Sequence, residues 1–231
     1  MGRESLVDQL ISELLDDVVT GRLAPGESLP AEAELATRFD VNRLTIREAI
    51  RKLQAQGVVR TVPGRRSELQ PVSRWTDIGA ALQVAEAQIG RADSSIQLLQ
   101  LRRMIETGAC ALAATRMGAA DLELMERELD GMRAASAVND VAAFVVHDIA
   151  FHDVIVNSCG NRLVRTLFDP LQALLKERRT ETSKVPAVQE HAIGMHAAVI
   201  DALRTQDADL AYAAMSAHMD QTERDLIRYV L

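Results

Sequence analysis

Four side chains in the second half of the chain are of the types that bind a divalent metal ion: Asp148, His152, His196 and His218. Asp148 and His152 are four residues apart in a helical stretch, so both project from one face, one turn apart. The other two histidines lie near the middles of two later predicted helices, and a helical bundle can bring side chains from facing helices to one ion. Three imidazoles and one carboxylate suit zinc, nickel, iron or manganese, and they leave one or two coordination positions open.

Spacing alone does not separate a metal site from histidines that share no role. An Asp and a His four residues apart are common on helices, so on spacing alone unrelated core or surface histidines are the better explanation. His147 and His191 are predicted to point elsewhere. His147 is about 100° around the helix from Asp148, and His191 precedes His196 by five residues.

The elements that would position these residues are helices. A linker helix is predicted over Ile78–Ile89, and a longer helix capped by Ser94 or Ser95 is predicted to end near Arg116. The later helices are predicted over Glu123–Ala135, Val141–Asn157, Arg162–Thr180, Val188–Arg204 and Asp207–Leu231. No strand alternation and no internal repeat interrupts them. We therefore expect an all-α antiparallel helical bundle over residues 95–231, with residues 76–94 as the linker.

Residues 1–75 carry a different pattern, of two short helices, a tight turn and a ribbon. The helices are predicted over Pro30–Arg38 and from Asn42 to Gly57, where Asn42 is well placed as N-cap and Gly57 as the C-terminal residue. Two short strands follow, Val58–Val62 and Ser67–Val72, around the basic turn Pro63-Gly64-Arg65-Arg66. This order is that of a helix-turn-helix followed by a wing. The fold class expected for the whole chain is mainly α.

Arginines follow one face of the second short helix, and apolar residues follow another. Arg43, Arg47 and Arg51 recur every four residues, while the apolar residues Ile46, Ala49, Ile50 and Leu53 recur at spacings of three and four. A charged helix face of this kind fits a DNA groove, and the alternative is a merely solvated face. Because turn, cap, apolar stripe and wing agree with one another, we favour a DNA-binding function.

The distribution of charge supports this interpretation, although the net charge of −7 opposes it at first sight. Between Arg38 and Arg66, eight basic residues outnumber two acids, Asp40 and Glu48, so this segment carries +6. Residues 1–75 hold eleven charges of each sign, and the remaining 156 residues therefore carry all of the −7. A basic element attached to an acidic body is typical of a regulator that binds one DNA site without binding everywhere.

Composition excludes several other classes of protein. Aromatic residues make up only 3% of the chain, which counts against base stacking and so against a single-strand or RNA binder. The two cysteines, Cys110 and Cys159, lie in apolar helical contexts and are expected to be buried free thiols in a reducing cytosol. No apolar run approaches the ~20 residues of a membrane span, and the N-terminus lacks the apolar core of a signal peptide. A cytoplasmic protein is expected.

The first 70 residues resemble a known family of DNA-binding domains. The runs that carry the resemblance are Gly21-Arg22-Leu23-Ala24-Pro25-Gly26, Leu29-Pro30-Ala31-Glu32 and Val41-Asn42-Arg43-Leu44-Thr45-Ile46-Arg47-Glu48-Ala49-Ile50. They resemble the winged-helix domain of GntR-type transcription regulators over nearly all of residues 5–70.

This resemblance implies which residues contact DNA. The residues matching Arg43, Thr45 and Arg47 contact bases or phosphates, and the wing glycine matching Gly64 approaches the minor groove. Asn42 stands where Ser or Thr is usual, and it can still cap the helix and donate to a phosphate. Ala33 stands where some relatives carry a DNA-contacting Arg. Arg51 on the helix face and Arg65 at the wing tip complete the expected set.

Residues 95–222 resemble the FadR-type effector domain of the GntR superfamily. The pattern is carried by Leu101-Arg102-Arg103-Met104-Ile105-Glu106, Asp148-Ile149-Ala150-Phe151-His152, Gly160-Asn161, His196 with Asp201-Ala202-Leu203, and residues 211–218. In the metal-binding majority of that branch, the residues matching Asp148, His152, His196 and His218 hold a divalent cation in the ligand cavity.

Zinc is the first expectation for this cation, and nickel, manganese or iron are the alternatives. The resemblance also makes Arg102 and Asn161 candidate effector contacts. Arg102 can equally be an ion-pair partner of Glu106 at i+4.

These parts predict a homodimer that reads a pseudo-palindromic operator on double-stranded DNA with its two recognition helices. The resemblance implies an organic acid, sugar acid or amino acid as effector, with repression relieved by the ligand as the commoner arrangement. Binding would shift the dimer between arrangements with different affinity for the operator.

Two rival functions remain open at this point. A metal-dependent hydrolase could use a three-histidine metal to activate water, but the chain has no His-Glu-x-x-His motif, nucleophile elbow or phosphate-binding glycine loop. We therefore do not expect an enzyme. In the other rival, the metal is purely structural and the protein binds DNA constitutively.

Overall fold

The computed structural model describes residues 5–62, 64 and 66–231. The chain folds as two compact units, of which unit 1 ends at Ser94 and unit 2 runs from Ser95 to Leu231. The prediction of a mainly α protein with a winged helix-turn-helix followed by a helical bundle is confirmed.

Unit 1 begins with three helices and a short ribbon: α1 (Leu6–Val19), α2 (Glu32–Arg38), α3 (Arg43–Ala55), β1 (Val59–Arg60) and β2 (Glu68–Leu69). The two strands pair antiparallel, with Val59 opposite Leu69. A single 3-10 turn, Val72–Arg74, follows. Both strands are shorter than predicted, and the segment before α2 lies along the other edge of β2, with Ser28 opposite Glu68. The backbone N–H of Leu69 donates to Glu27, and that of Leu29 donates to Ser67.

The helix ends in unit 1 follow from local residue chemistry. The side chain of Asn42 accepts a hydrogen bond from the backbone N–H of Thr45 at 2.9 Å and so caps α3, as predicted. Gly57 adopts a φ of 71°, the left-handed conformation that ends a helix. The predicted apolar stripe of α3 faces the core, where Ile46, Ala49 and Leu53 are almost fully buried.

Helix α4 (Ile78–Ala114) contains a break at Gly90, where φ is 85° and ψ is 162°. The predicted end of the linker helix at Ile89 therefore agrees with the structure. The predicted helix start at Ser94 or Ser95 is wrong, because both serines are buried inside α4. The Ser94 hydroxyl donates to the carbonyl of Arg91 at 3.0 Å, and a serine that bonds back to its own helix in this way does not need to cap one.

Unit 2 is built from the later part of α4 and five further helices, α5 (Ala119–Ala137), α6 (Val141–Ser158), α7 (Arg162–Thr182), α8 (Pro186–Arg204) and α9 (Ala208–Tyr229). Side chains of Asp140, Asn161 and Asp207 cap α6, α7 and α9. Helix α6 packs against α5 and α7, and α8 packs against α5 and α9. This packing brings histidines of α6, α8 and α9 close together in the core of unit 2.

Helix α6 is also, among the described residues, the one helix long and apolar enough to cross a membrane. Core helices of soluble proteins share these properties. In this protein α6 packs against α5 and α7 and carries the buried residues Asp148 and His152.

Candidate metal and effector site

Three histidines meet inside unit 2, one from each of three helices. His152 of α6, His196 of α8 and His218 of α9 are all buried, and each offers a ring nitrogen within 4.8 Å of the others. The Nε2 atoms of His152 and His196 are 3.1 Å apart. Asp148 Oδ1 lies 3.3 Å from His196 Nε2 and 3.9 Å from His152 Nε2. The structure thus brings together all four residues predicted to bind the metal.

The neighbours of His152 and His196 favour the form of each ring in which Nε2 carries a lone pair, and these two lone pairs are directed at a common point. His196 Nδ1 lies 2.6 Å from the carbonyl oxygen of Ala192, which can only accept, so this nitrogen carries the proton. His152 Nδ1 lies against a carboxylate oxygen of Glu106, which favours a proton on that nitrogen as well. Two Nε2 lone pairs then face each other and the Asp148 carboxylate. Such an arrangement is stabilised by a cation between the donors.

His218 gives the clearest sign that a ligand belongs in this cluster. Both of its ring nitrogens are buried, and neither has a hydrogen-bond partner among the described residues. An orphaned buried imidazole is costly in free energy unless something else satisfies it. A metal ion coordinated by one of these nitrogens would do so, and the donor set of three imidazoles and one carboxylate fits a divalent transition metal.

Two buried arginines and one buried glutamate surround the histidines. Arg102 Nε donates to Glu106 Oε1 at 2.6 Å, so the ion pair expected from their spacing is formed. Arg102 Nη2 also lies 2.7 Å from His152 Nε2. Arg179 Nη1 donates to Asp148 Oδ2 at 2.6 Å, and its Nη2 lies 3.6 Å from Glu106 Oε1. The candidate metal ligands Asp148 and His152 are therefore held in place by a layer of paired charges.

These neighbours control the protonation of the site. Burial lowers the pKa of His152 and His218 well below the ordinary value, and the positive charges around them add to the effect. Burial also lowers the pKa of His196. For Asp148, burial alone would raise the pKa, but the charge of Arg179 and its neighbours outweighs burial and lowers the pKa to about 2. Neutral imidazoles and an ionised carboxylate are the forms that bind metals.

A cavity of about 40 Å³ opens onto this cluster. That volume holds about one water molecule, so a ligand larger than a single ion requires side chains to move. The cavity walls include the metal-site residues Asp148 and His218, the two arginines Arg102 and Arg179, and the more peripheral Thr182, Gln221 and Asp225.

The structure does not bring every predicted site residue to the cavity. Asn161 is exposed and caps α7 by accepting from the backbone N–H of Leu163, and it is absent from the cavity lining. His147 pairs with Glu128, and His191 pairs with Asp225. Both histidines thus lie outside the metal cluster, as expected from the sequence.

Sequence reasoning missed Arg179 altogether. A signal was present, because Arg179 continues the stripe of buried residues Phe168, Leu171 and Leu175 at spacings of three and four. A charged residue at the next position of an apolar stripe faces the core, where it needs a partner of opposite charge. That partner, Asp148, is 31 residues away along the chain.

The DNA-binding face predicted for unit 1 is exposed. Arg43 and Arg51 point to solvent from α3, whereas Arg47 pairs with Glu32 at 2.8 Å. Thr45 lies in the first turn of α3, beside its cap Asn42. A groove of about 690 Å³ lies beside this helix and is lined in part by Arg47, Arg51 and Arg66.

Two further features of this face bear on DNA recognition. Gly64 has a φ of 70° at the wing tip, with open space around it, whereas Arg65 lies outside the described residues. Leu44, which sequence reasoning did not single out, is 63% exposed in the first turn of α3. An apolar side chain at this end of a recognition helix can contact the methyl group of thymine.

A winged helix-turn-helix in the same chain as a helical domain is the architecture of a DNA-binding transcription regulator. The FCD domain family matches residues 97–221, and the gntR family of bacterial regulatory proteins matches residues 6–68. The chain therefore belongs to the GntR family and to its FadR-type branch, which carries an FCD domain. Members of this family are transcription regulators, so the expectation that the protein is not an enzyme is confirmed.

Relatives of known function cover nearly the whole chain. The HTH-type transcriptional repressor NanR of Cronobacter sakazakii is 28% identical over 227 residues, which are 95% of this chain and 86% of the relative. NanR of Escherichia coli K12 is 29% identical over 219 residues, which are 93% and 82% of the two chains.

Solved structures show the same fold. Lar of Listeria monocytogenes superposes with a TM-score of 0.65 at 20% identity, covering 99% of this chain and all of its own. Escherichia coli McbR/YncC gives a TM-score of 0.57 at 18% identity, covering 97% and 99%. At these identities the likeness extends to the fold alone.

Proposed function

We propose that the protein is a metabolite-responsive repressor whose helical unit binds a divalent metal ion and, beside it, a small carboxylate effector. The observation that carries this proposal is the convergence of three buried imidazoles, of which His218 has no hydrogen-bond partner among the described residues, while His152 and His196 lie beside the carboxylate of Asp148. Asp148, His152, His196 and His218 would hold the ion, with zinc the first candidate and nickel, manganese or iron the others. The bound ion would supply a positive charge and an open coordination position for an acid group.

The DNA-binding part of the proposal assigns residues 1–75 to operator recognition and residues 76–94 to the linker. Arg43, Thr45, Arg47 and Arg51 of α3, with Asn42 at its start, would contact DNA in the major groove, and the wing with Gly64 and Arg65 would contact the flanking backbone or minor groove. Repression, rather than activation, is supported by the NanR relatives, which are repressors. A regulator of this kind acts in the cytoplasm, where bacterial DNA lies.

A homodimer is the second part of the proposal. Helix α4 exposes Leu101, Met104 and Leu112, and α7 exposes Leu163 and Leu167, each between 40% and 72% accessible. Apolar side chains that recur on one helix face in water are typical of a protein interface. A two-fold dimer would present two recognition helices to the two halves of a pseudo-palindromic operator.

The proposed sensor is tested by thermal-shift measurements on metal-loaded wild type and on His196→Ala, with a panel of small carboxylates. We expect one compound to raise the melting temperature of the wild type and to leave that of the variant unchanged, because a ligand stabilises only the form that binds it. His147→Ala, which removes a histidine outside the cluster, serves as the matched control and should respond as the wild type does.

The rival in which the metal is purely structural makes a different prediction for the same variant. In that case His196→Ala would lose its helical circular dichroism, since the bundle would depend on the ion to fold. A folded His196→Ala protein that binds DNA but no longer responds to the effector supports the sensor. If no carboxylate shifts the wild type while it still binds metal and DNA, the sensor proposal is wrong.

A further inference from the structure

One side of the Arg179 guanidinium group makes no hydrogen bond to any residue that the structure describes. The residue is only 6% exposed, and its Nη1 is taken by Asp148. Its Nε and Nη2 are both buried and lack a hydrogen-bond partner among the described residues, the nearest acceptor of Nη2 being Glu106 Oε1 at 3.6 Å. Nε and Nη2 form the fork with which an arginine binds both oxygens of a carboxylate.

The charges around the metal ligands also require an anion once a metal is bound. Two arginines, Arg102 and Arg179, balance two carboxylates, Glu106 and Asp148, so the buried cluster is neutral with its imidazoles neutral. A divalent cation adds two positive charges in a place shielded from water. Uncompensated buried charge is unfavourable, so a ligand with two negative charges restores the balance that a ligand with one leaves incomplete. Asp225, at the cavity edge, is already paired with His191.

Metal binding would also free the other arginine. Arg102 Nη2 donates to the Nε2 of His152, which is the lone pair that a metal needs. A metal on that nitrogen excludes the hydrogen bond, so the guanidinium group of Arg102 has to move, and the space that it fills becomes available to a ligand. A second cavity of about 40 Å³ adjoins the two arginines and is walled by Leu98, Leu99 and Leu226, which suits the methylene chain between two acid groups.

We propose that Arg179 is a second anion-binding site in the effector cavity and that the effector is a short dicarboxylate. One carboxylate binds beside the metal, and the other accepts two hydrogen bonds from Nε and Nη2 of Arg179. This proposal rests on the proposed function, because it takes the metal-loaded cavity as the effector site.

The test compares dicarboxylates with their monoamides, which keep the size but lose one charge. Calorimetric titrations of the zinc-loaded full chain use the series from malonate to adipate, each with its monoamide. For the best-fitting length we expect the dicarboxylate to bind at least about tenfold more tightly than its monoamide, as charge-assisted bidentate bonds do in a buried site. Equal affinities for acid and amide would overturn the proposal without any variant.

The variant Arg179→Lys then tests whether the preference for the dicarboxylate comes from Nε and Nη2 of Arg179. Lysine keeps the positive charge beside Asp148 but cannot bind a carboxylate with two parallel bonds. We expect the preference for the dicarboxylate to fall to about threefold or less when variant and wild type are both measured at saturating zinc, so that a change in zinc affinity through Asp148 does not enter the comparison. Arg165→Lys on the same helix, where Arg165 pairs with Asp153 at the surface, is the control and should keep the full preference.

Two outcomes separate this proposal from the proposed function. If Arg179→Lys binds zinc normally and retains the full preference for the dicarboxylate, the Arg179 site is wrong and the sensor function stands. If no dicarboxylate of the series binds the zinc-loaded wild type, the Arg179 proposal is wrong, and the thermal-shift panel of small carboxylates decides the sensor function separately.

Discussion

Glu106 contacts three buried side chains of the site, those of Arg102, Arg179 and His152. One of its carboxylate oxygens accepts from Arg102 and lies 3.6 Å from Arg179, and the other lies against His152. In the proposed metal site it would therefore orient His152 without binding the metal itself. Residues in this position usually affect both stability and metal affinity, because the ligand loses its orientation when they are replaced.

We expect Glu106→Gln to lower the free energy of unfolding of the metal-free protein by about 3–5 kcal/mol, since two buried arginines lose a negative partner. Zinc affinity should fall by about 10- to 100-fold. Urea unfolding followed by circular dichroism and competition with a chelator measure the two effects. Glu128→Gln, which removes the partner of the half-buried His147, should cost less than about 1 kcal/mol and leave zinc affinity unchanged.

The three buried histidines also predict how stability depends on pH. Their pKa values are lowered in the folded protein, so below the ordinary value of 6.5 the unfolded chain binds protons that the folded chain does not. Stability of the metal-free protein should therefore be constant above about pH 7 and fall as the pH drops below about 6.5. Asp148, with its pKa lowered to about 2, adds a further loss only below about pH 4.

Urea unfolding of chelator-treated protein from pH 8 to pH 5 measures this dependence. His218→Ala removes one of the three groups and should give a shallower fall, by about one proton in the slope. A stability that does not change across this range would show that the histidines are not held neutral in the folded protein.

At the scale of elements, the end of α3 is tied to the chain that follows the wing. Gly57 has a φ of 71°, and a β-carbon there would lie 2.9 Å from the carbonyl oxygen of Arg74. The carbonyl of Gln56 accepts from Thr76 at 2.9 Å in the same place. The glycine therefore serves both the end of the recognition helix and the close approach of a neighbouring segment.

Gly57→Ala should destabilise unit 1 by more than Gly21→Ala. Both glycines have a positive φ, which costs alanine about 1–2 kcal/mol, but Gly21 has nothing within 4 Å of a β-carbon. The contact at Gly57 should add about 1–3 kcal/mol. Trp75 is the only tryptophan and packs against the core of unit 1, so its fluorescence during urea unfolding reports this unit. Equal losses for the two variants would contradict the close approach.

At the scale of the whole molecule, the proposed homodimer would make DNA recognition depend on assembly. The exposed face of Leu101, Met104 and Leu112 is the apolar surface on α4 from which we argue for a homodimer. Met104→Glu places a charge on this face and should convert dimer to monomer in sedimentation experiments. Since a monomer presents one recognition helix, affinity for a DNA fragment selected by the wild type should fall by at least about tenfold.

Val138→Glu is the control for this experiment. Val138 is 76% exposed at the end of α5, so the substitution adds the same charge to an apolar surface residue away from the α4 face. It should leave both the dimer and DNA affinity unchanged. A wild type that sediments as a monomer, or a Met104→Glu protein that remains dimeric, would contradict the proposed interface.

Local chemistry was predictable from the sequence to a large extent. The cap of α3 by Asn42, the end of that helix at Gly57 and its buried stripe all follow from residues within a few positions of one another. The later helices were predicted to within a few residues, because their periodicity and stop signals are local. The start of the long helix was predicted at the wrong residue. The break lies at Gly90 and depends on its backbone conformation, whereas Ser94 and Ser95 are of residue types that cap helices.

The sequence by itself determined the family, the class of the fold and the four residue types suited to a metal, since these depend on local patterns and on resemblance. Of the four candidate metal ligands, residue spacing could place only Asp148 and His152 side by side, because these two lie on one helix. The tertiary structure decided which side chains meet. Arg179 donates a hydrogen bond to Asp148, and Arg102 donates one to Nε2 of His152. Asn161 caps α7 and does not line the cavity. The physical reason is that buried charges must find partners across the core, and those partners lie on helices far apart along the chain.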